Sequence, residues 1–312
     1  MPKPRILFMG TPAFAVPALT GLVKHGYPVI GVVTQPDRPQ GRGRATAPSP
    51  VKLMAEDLGL SVLQPENVRH PSFLTHFREL APGIVIVAAF GQILPGEIIH
   101  GQKGGCINIH PSLLPKYRGA APINWALIRG EEKTGVTIMQ MDEGVDSGAI
   151  LLQEETPIEP IETYGMLHDR LAMMGADLLL IALAMLQAGT LQPQLQDDRL
   201  ATAAPRLSRE DGLIHWETDC RKVVSLIRGL SPAPCAYTHF EGKQLKVFMA
   251  VAETGSVTEA PGTVVGETAT GLRVAAGNGY VLLQELQLEG KKRMAFNNFL
   301  RGVRIAPGQV LG

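Results

Sequence analysis

The chain has 312 residues, 45% of them hydrophobic and 19% charged, with a formal net charge of zero. That composition is ordinary for a folded globular protein with room for two domains, and it excludes a disordered or generally polyanion-binding chain. Three cysteines, Cys106, Cys220 and Cys235, are widely spaced with no Cys-x-x-Cys pair, which argues against a disulfide framework or zinc site and for a reducing compartment.

Taken in order, residues 6–9 read as a buried strand ending in Gly10-Thr11-Pro12, and residues 13–25 as a helix. Pro12 and Pro17 interrupt any apolar core of a signal peptide. Residues 29–34 give a second strand, so the chain opens as strand, helix, strand, the start of a parallel α/β sheet. The turn after the first strand lacks Gly-x-Gly-x-x-Gly, and a nicotinamide cofactor is not expected. Residues 35–50 read as a long loop in which Arg38, Arg42 and Arg44 stand among glycines and prolines. Guanidinium forks on such a loop suit phosphate oxygens.

A helix at 51–58, a short strand at 61–63 and a helix at 71–80 follow, then a central strand at 83–89. Ligands of open parallel sheets bind beyond the carboxyl ends of strands. In the segment after that strand, Phe90, Ile93 and Leu94 are therefore expected either to line an apolar pocket with backbone groups free for a heterocycle or simply to pack the loop.

The most informative stretch is 104–119, Gly-Gly-Cys-Ile-Asn-Ile-His-Pro-Ser-Leu-Leu-Pro-Lys-Tyr-Arg-Gly. Strand side chains alternate, so Asn108 and His110 share one face and Ile107 and Ile109 pack behind. An amide donor beside a titratable imidazole suits acyl chemistry, stabilising an oxyanion and moving a proton. A helix is expected at 120–129 and another strand at 135–141. That strand ends in an acidic, Gly-rich loop, Met139-Gln140-Met141-Asp142-Glu143-Gly144-Val145-Asp146-Ser147-Gly148. Asp142 and Asp146 both stand in this loop as possible partners for His110. Residues 149–154 are expected to return antiparallel. A long helix at 163–187 contains Asp177 and reads as a core helix rather than a membrane span.

Residues 191–209 are polar and rich in Gln, Pro and Asp, as a linker would be. Beyond them, short β-rich runs at 245–250, 262–265, 272–275 and 280–287 with Gly-bearing turns, and a helix at 219–230, describe a small β-barrel-like second domain. Lys291, Lys292 and Arg293, with Arg301 and Arg304, form basic clusters there.

Asn108-x-His110-Pro111-Ser112-Leu113-Leu114-Pro115-Lys116-Tyr117-Arg118-Gly119, followed by the loop to Asp146, resembles the formyltransferases that use 10-formyltetrahydrofolate. The resemblance selects Asp146 over Asp142 as the partner of His110. Three further stretches extend it over nearly the whole chain to the methionyl-tRNA formyltransferase family: 208–216, 227–238 and 299–308. It implies an α/β fold, with a Rossmann-like, mostly parallel sheet and a C-terminal OB-like barrel. The implied division is a catalytic domain at 1–189, a linker at 190–207 and a tRNA-binding domain at 208–312.

The resemblance further implies a catalytic set of Asn108, His110 and Asp146. The folate would be held by Phe90, Gln92, Ile93, Leu94, Ser112, Leu113, Leu114, Pro115, Met139 and Asp142. Arg38, Arg42, Arg44, Lys291, Lys292, Arg301 and Arg304 would meet the tRNA, the loop around Arg42 reaching its acceptor stem. The expected reaction is formylation of methionyl initiator tRNA from 10-formyltetrahydrofolate in the cytoplasm, with no metal, no membrane and no obligate protein partner. Formyltransferases acting on an amino sugar or nucleotide, and formyl-folate hydrolases, are disfavoured by the arginine loop and C-terminal motifs. A non-enzymatic tRNA-binding protein would not need Asn108, His110 and Asp146 together.

Overall fold

The structure, a computed structural model, describes residues 2–40 and 45–312. It divides into two compact units, residues 1–119, 134–156 and 168–203, and residues 120–133, 157–167 and 204–312.

The first unit is built on a seven-stranded sheet. Its strands are β1 (Ile6–Gly10), β2 (Val29–Val33), β5 (Val62–Leu63), β6 (Ile84–Ala88), β7 (Cys106–His110), β8 (Lys133–Gln140) and β9 (Ile150–Pro157), in the order β5-β2-β1-β6-β7-β8-β9. Pairing is parallel from β5 through β7, and β8 runs antiparallel to β7. Every residue of β1 and β6 is buried. A strand covered on both faces needs a continuous apolar run, which Ile-Leu-Phe-Met and Ile-Val-Ile-Val-Ala supply. Helices α1 (Val16–Lys24), α2 (Pro50–Asp57), α3 (Pro71–Leu80) and the short α4 (Gly96–His100) connect the strands. Ser49 caps α2 by accepting from the backbone N–H of Lys52, a contact worth about 1 kcal/mol.

Residues 35–50, expected as a loop, carry two short antiparallel strands, β3 (Arg38–Gln40) and β4 (Ala45–Ala47). At their base Asp37 accepts from Lys52 and Gln64, each at 2.7 Å.

The long helix α6 (Tyr164–Ala188) is long and apolar enough in composition to cross a membrane. Leu171, Ala172, Ala176, Leu178, Leu179, Ala182 and Leu183 are nevertheless buried in the protein. Gly175 lies so close to β7 and β8 that a Cβ there would sit 2.7 Å from Ile109 Cγ2 and 3.4 Å from Val136 Cγ1. This close approach seats the strand bearing His110. The buried side chains on both sides of that contact contribute about 1.5–3 kcal/mol each.

Residues 190–203, expected as linker, pack within the first unit. Gln194 bridges Ile150, Ala203 bridges Arg118, and a 3-10 turn spans Asp198–Leu200.

The second unit contains helices α5 (Pro122–Ile128), α7 (Cys220–Leu230) and α8 (Phe296–Gly302). Its antiparallel sheet comprises β10 (Ala236–Phe240), β11 (Lys243–Thr254), β12 (Val264–Glu267), β13 (Leu272–Ala276) and β14 (Gly279–Leu288), in the order β10-β11-β14-β13-β12, with β15 (Met294–Ala295) pairing β14. Its core gathers Ile214, Trp216, Val223, Ile227, Val247 and Phe299. The Trp216 indole N–H donates to Thr238 Oγ1 at 3.1 Å, which satisfies the buried ring's polar atom.

Candidate active site

Asn108 and His110 sit at the carboxyl end of β7, alternating with the buried Ile107 and Ile109. In register, Asn108 stands between Val87 of β6 and Met139 of β8, and His110 opposite Thr137. The Asn108 side chain is only partly buried and has no hydrogen-bond partner among the described residues. Its amide N–H groups are therefore available to an incoming oxygen.

His110 is 4% exposed. Its Nε2 lies 2.9 Å from the carbonyl oxygen of Tyr117. A carbonyl only accepts, so Nε2 carries the proton and the tautomer is fixed. Nδ1 then faces Asp146, with Oδ2 at 3.6 Å. That spacing is too long for a direct hydrogen bond but suits an ion pair or a small closure when a proton arrives. The Asp146 carboxylate is itself held by the backbone N–H of Gly119 at 2.8 Å.

The choice between the two acids of the loop has a geometric basis. Asp142 Oδ1 accepts from the Gly144 backbone N–H at 3.0 Å and from Ser147 Oγ at 2.9 Å. Its carboxylate folds the loop, whereas that of Asp146 faces the imidazole. Gly148 closes the loop where a Cβ would lie 1.9 Å from the carbonyl oxygen of Gln140.

Three non-glycine residues here have left-handed backbones: Ala89 (φ 47), Tyr117 (φ 64) and Asp146 (φ 51). Each costs of order 1 kcal/mol, and such conformations persist only where surrounding contacts hold them. Around Tyr117 those contacts are visible. Tyr117 N donates to Thr202 Oγ1 at 2.9 Å. Ser112 Oγ donates to the Lys116 carbonyl at 2.7 Å. Thr137 Oγ1 donates to the Ser112 carbonyl at 2.6 Å and accepts from the Leu114 N–H at 3.2 Å and from Gln153 Nε2 at 2.8 Å.

In the segment after β6, Phe90 and Leu94 are buried in the core cluster that also holds Leu7, Val68, Phe73 and Ile98. Gln92 spends its amide on the chain at 65–68, accepting from Val68 N at 3.0 Å and donating to the Pro65 carbonyl at 3.3 Å. Ile93 alone of the four projects outward, 75% exposed. Val145, which was not singled out from sequence, is 69% exposed. The two loops are neighbours, for a Cβ on Gly96 would lie 3.2 Å from Glu143 Oε1. Ser112, Leu114 and Met139 are buried, and Leu113 and Pro115 half-buried.

Of the basic residues, Arg38 is exposed on β3, while Arg42 and Arg44 lie outside the described residues. In the second unit Lys291, Lys292, Arg301 and Arg304 are exposed and form no ion pair among the described residues. Arg293 differs: it pairs with Glu285 at 2.6 Å and covers the Phe248 ring at 4.2 Å.

Sequence reasoning missed Thr137, Gln153, Thr202 and Gln196. A hydroxyl amid the apolar run Gly-Val-Thr-Ile-Met of β8 was the available signal for Thr137. The other three stand in polar surroundings with no pattern to set them apart.

A family model described as formyl transferase matches residues 4–183, and a model of the formyl transferase C-terminal domain matches residues 206–304. The methionyl-tRNA formyltransferase of Syntrophus aciditrophicus (strain SB) is 54% identical over 312 residues, all of both chains. Among solved structures, HypX from Aquifex aeolicus in complex with tetrahydrofolic acid matches with a TM-score of 0.64 at 19% identity. That match covers 98% of this chain and 49% of HypX, so the chain spans about half of that protein. Methionyl-tRNA formyltransferase from Clostridium thermocellum matches with a TM-score of 0.56 at 18% identity, covering 81% of this chain and 95% of that one. At such identities the structural likeness speaks for the fold, a Rossmann-like sheet followed by an antiparallel one. Identity above one half along the full length, together with both family models, places the chain in the methionyl-tRNA formyltransferase family.

Proposed function

We propose that this chain transfers the formyl group of 10-formyltetrahydrofolate to the α-amino group of methionyl initiator tRNA, for the initiation of translation in the cytoplasm. The carrying observation is the convergence of an unpartnered Asn108 amide with a tautomer-fixed His110 and a facing Asp146. It occurs on a chain 54% identical throughout to a methionyl-tRNA formyltransferase.

The residues fit a formyl-folate co-substrate. Asn108 supplies a donor for the formyl oxygen, and exposed Ile93 and Val145 offer apolar surface on neighbouring loops. Ser112, Leu113, Leu114 and Pro115 wall the site beside them, while Met139 and Asp142 shape the facing strand end and loop. Phe90, Gln92 and Leu94 support the pocket from behind.

In the reaction the amine nitrogen bonds to the formyl carbon, the bond from that carbon to N10 breaks, and N10 receives a proton as the amine loses one. Asn108 donates to the oxygen as it becomes anionic, a contribution of about 3–4 kcal/mol. His110 Nδ1 and Asp146 together receive the amine's proton, while the Tyr117 carbonyl keeps the ring oriented. General base assistance of this kind is worth roughly 10²–10⁴-fold.

For the tRNA, residues 1–189 with 190–203 packed on them are the catalytic part, 204–207 connect, and 208–312 form an OB-like domain. Its Lys291, Lys292, Arg301 and Arg304 meet phosphates, as do Arg38, Arg42 and Arg44. No membrane or protein partner enters the reaction.

The test offers purified protein and 10-formyltetrahydrofolate either methionyl initiator tRNA or glycinamide ribonucleotide. Formylation of the charged tRNA alone supports the reading. Transfer to neither acceptor, with slow hydrolysis of the formyl-folate, refutes the acceptor assignment.

A further inference from the structure

Gln196 lies about fifty residues beyond the catalytic loop, in a stretch whose composition reads as a linker. Its side chain is wholly engaged. Nε2 donates to the backbone carbonyls of Asp146 at 2.8 Å and Gly148 at 2.7 Å. Oε1 accepts from Nε and Nη2 of Arg118 at 3.1 and 2.8 Å. A guanidinium can only donate, so it fixes which end of the amide faces which partner. Arg118 is in turn held by Asp198 at 2.7 Å. The segment is fastened on both sides of Gln196. Gln194 exchanges two 2.8 Å backbone hydrogen bonds with Ile150, and the Thr202 carbonyl accepts from Arg118 N at 2.9 Å.

The backbone so gripped is that of Asp146, whose left-handed φ of 51 is unfavourable for a non-glycine residue. Two hydrogen bonds flanking Ser147 restrain a conformation that would otherwise relax and carry the carboxylate away from His110. Asparagine is one methylene too short to span the gap, and glutamate lacks the donors.

We propose that Gln196 is a positioning residue for formyl transfer. It acts through Asp146, with Arg118 orienting its amide rather than meeting a phosphate. The proposal rests on the reading of Asp146 as the partner of His110.

The test is steady-state formyl transfer by the full chain bearing Q196E, in the parent and in a D146N background. Q196E keeps an oxygen for Arg118 and replaces the donor by an oxygen facing two carbonyls. The expected result is a fall in kcat of about tenfold to a hundredfold, with KM for both substrates within about threefold, since small misplacements of a reacting group are costly. In the D146N background the same substitution is expected to cost less than about threefold, because coupled residues are not additive. A kcat for Q196E within about twofold of the parent overturns the proposal, as does an equal loss in both backgrounds. Parent-level kcat in D146N alone instead refutes the reading of Asp146, and this inference with it. If Q196E fails to fold by circular dichroism, Q196M, which removes donors and acceptor without charge, carries the same comparison.

Discussion

Thr137 gives the sharpest test of how the site is built, because it is fully buried and touches no substrate in the proposed mechanism. Its hydroxyl joins the Ser112 carbonyl, the Leu114 N–H and Gln153 Nε2, and so fixes the chain that runs from His110 to the Leu114–Pro115 bond. Thr137→Val keeps the shape and removes the hydroxyl. Two buried backbone groups, the Ser112 carbonyl and the Leu114 N–H, then lose that partner; Gln153 keeps the Leu114 carbonyl at 3.0 Å. Each orphaned group costs about 1–3 kcal/mol, and partial relaxation sets the expected loss near 3 kcal/mol. For a unit of this size that is about 6–12 °C in the midpoint of thermal unfolding. Calorimetry measures the shift, and hydrogen exchange over residues 112–118 reports where the loosening lies. Thr137→Ser, which keeps the oxygen, should recover most of it. A loss below about 1 kcal/mol in T137V, with exchange at 112–118 unchanged, would refute the argument that this hydroxyl holds the loop.

Four further outcomes are expected. Asn108→Ala should lower kcat by about 10²–10³-fold with little change in folate affinity, as measured by single-turnover transfer and equilibrium binding; equal losses in both would remove the oxyanion role. Gln92→Ala should destabilise the first unit by about 1–3 kcal/mol in urea unfolding while leaving KM for the folate nearly unchanged, because the amide serves residues 65–68. Hydrogen bonds from Lys52 and then Gln64 hold the Asp37 carboxyl below its usual range. A lowered folded-state value stabilises above the unfolded value near 4 and is lost as pH falls through the folded one. The stability gap between parent and Asp37→Asn should accordingly begin to narrow as pH drops below about 5 and go on narrowing below the unfolded value of about 4, and a constant gap contradicts it. Burial pushes the Cys106 thiol up to about 12. Iodoacetamide near neutral pH should spare Cys106 in the native protein and label it in urea, read by mass spectrometry.

The parts of the fold legible in sequence were those whose cause is local. The unbroken apolar runs of β1 and β6 announce strands buried on both faces. The alternation Ile-Asn-Ile-His places two polar groups on one side of β7 whatever lies elsewhere in the chain. The stretch after β6 is less legible because apolar residues in a loop carry no period. Nothing local says that Phe90 and Leu94 are buried and Ile93 exposed; that depends on the distant residues, Leu7, Val68 and Phe73 among them, that share their core cluster.

The same limit explains the acidic loop after β8. Asp142 and Asp146 look alike in sequence, four residues apart with one glycine, Gly144, between them. They differ only in what each meets: Asp142 closes onto Gly144 and Ser147, and Asp146 onto His110 and Gly119. Residues 190–203 carry the point furthest. Their Gln, Pro and Asp content has the look of a linker because none of it is apolar enough to mark a core. Yet Gln196 contributes through the placement of four hydrogen bonds, not through burial, and hydropathy is blind to that. The three left-handed residues at this site supply the physical reason such a clamp is needed. A loop held away from its preferred backbone requires partners from elsewhere in the chain, and Thr202 and Gln196 are two that this segment provides.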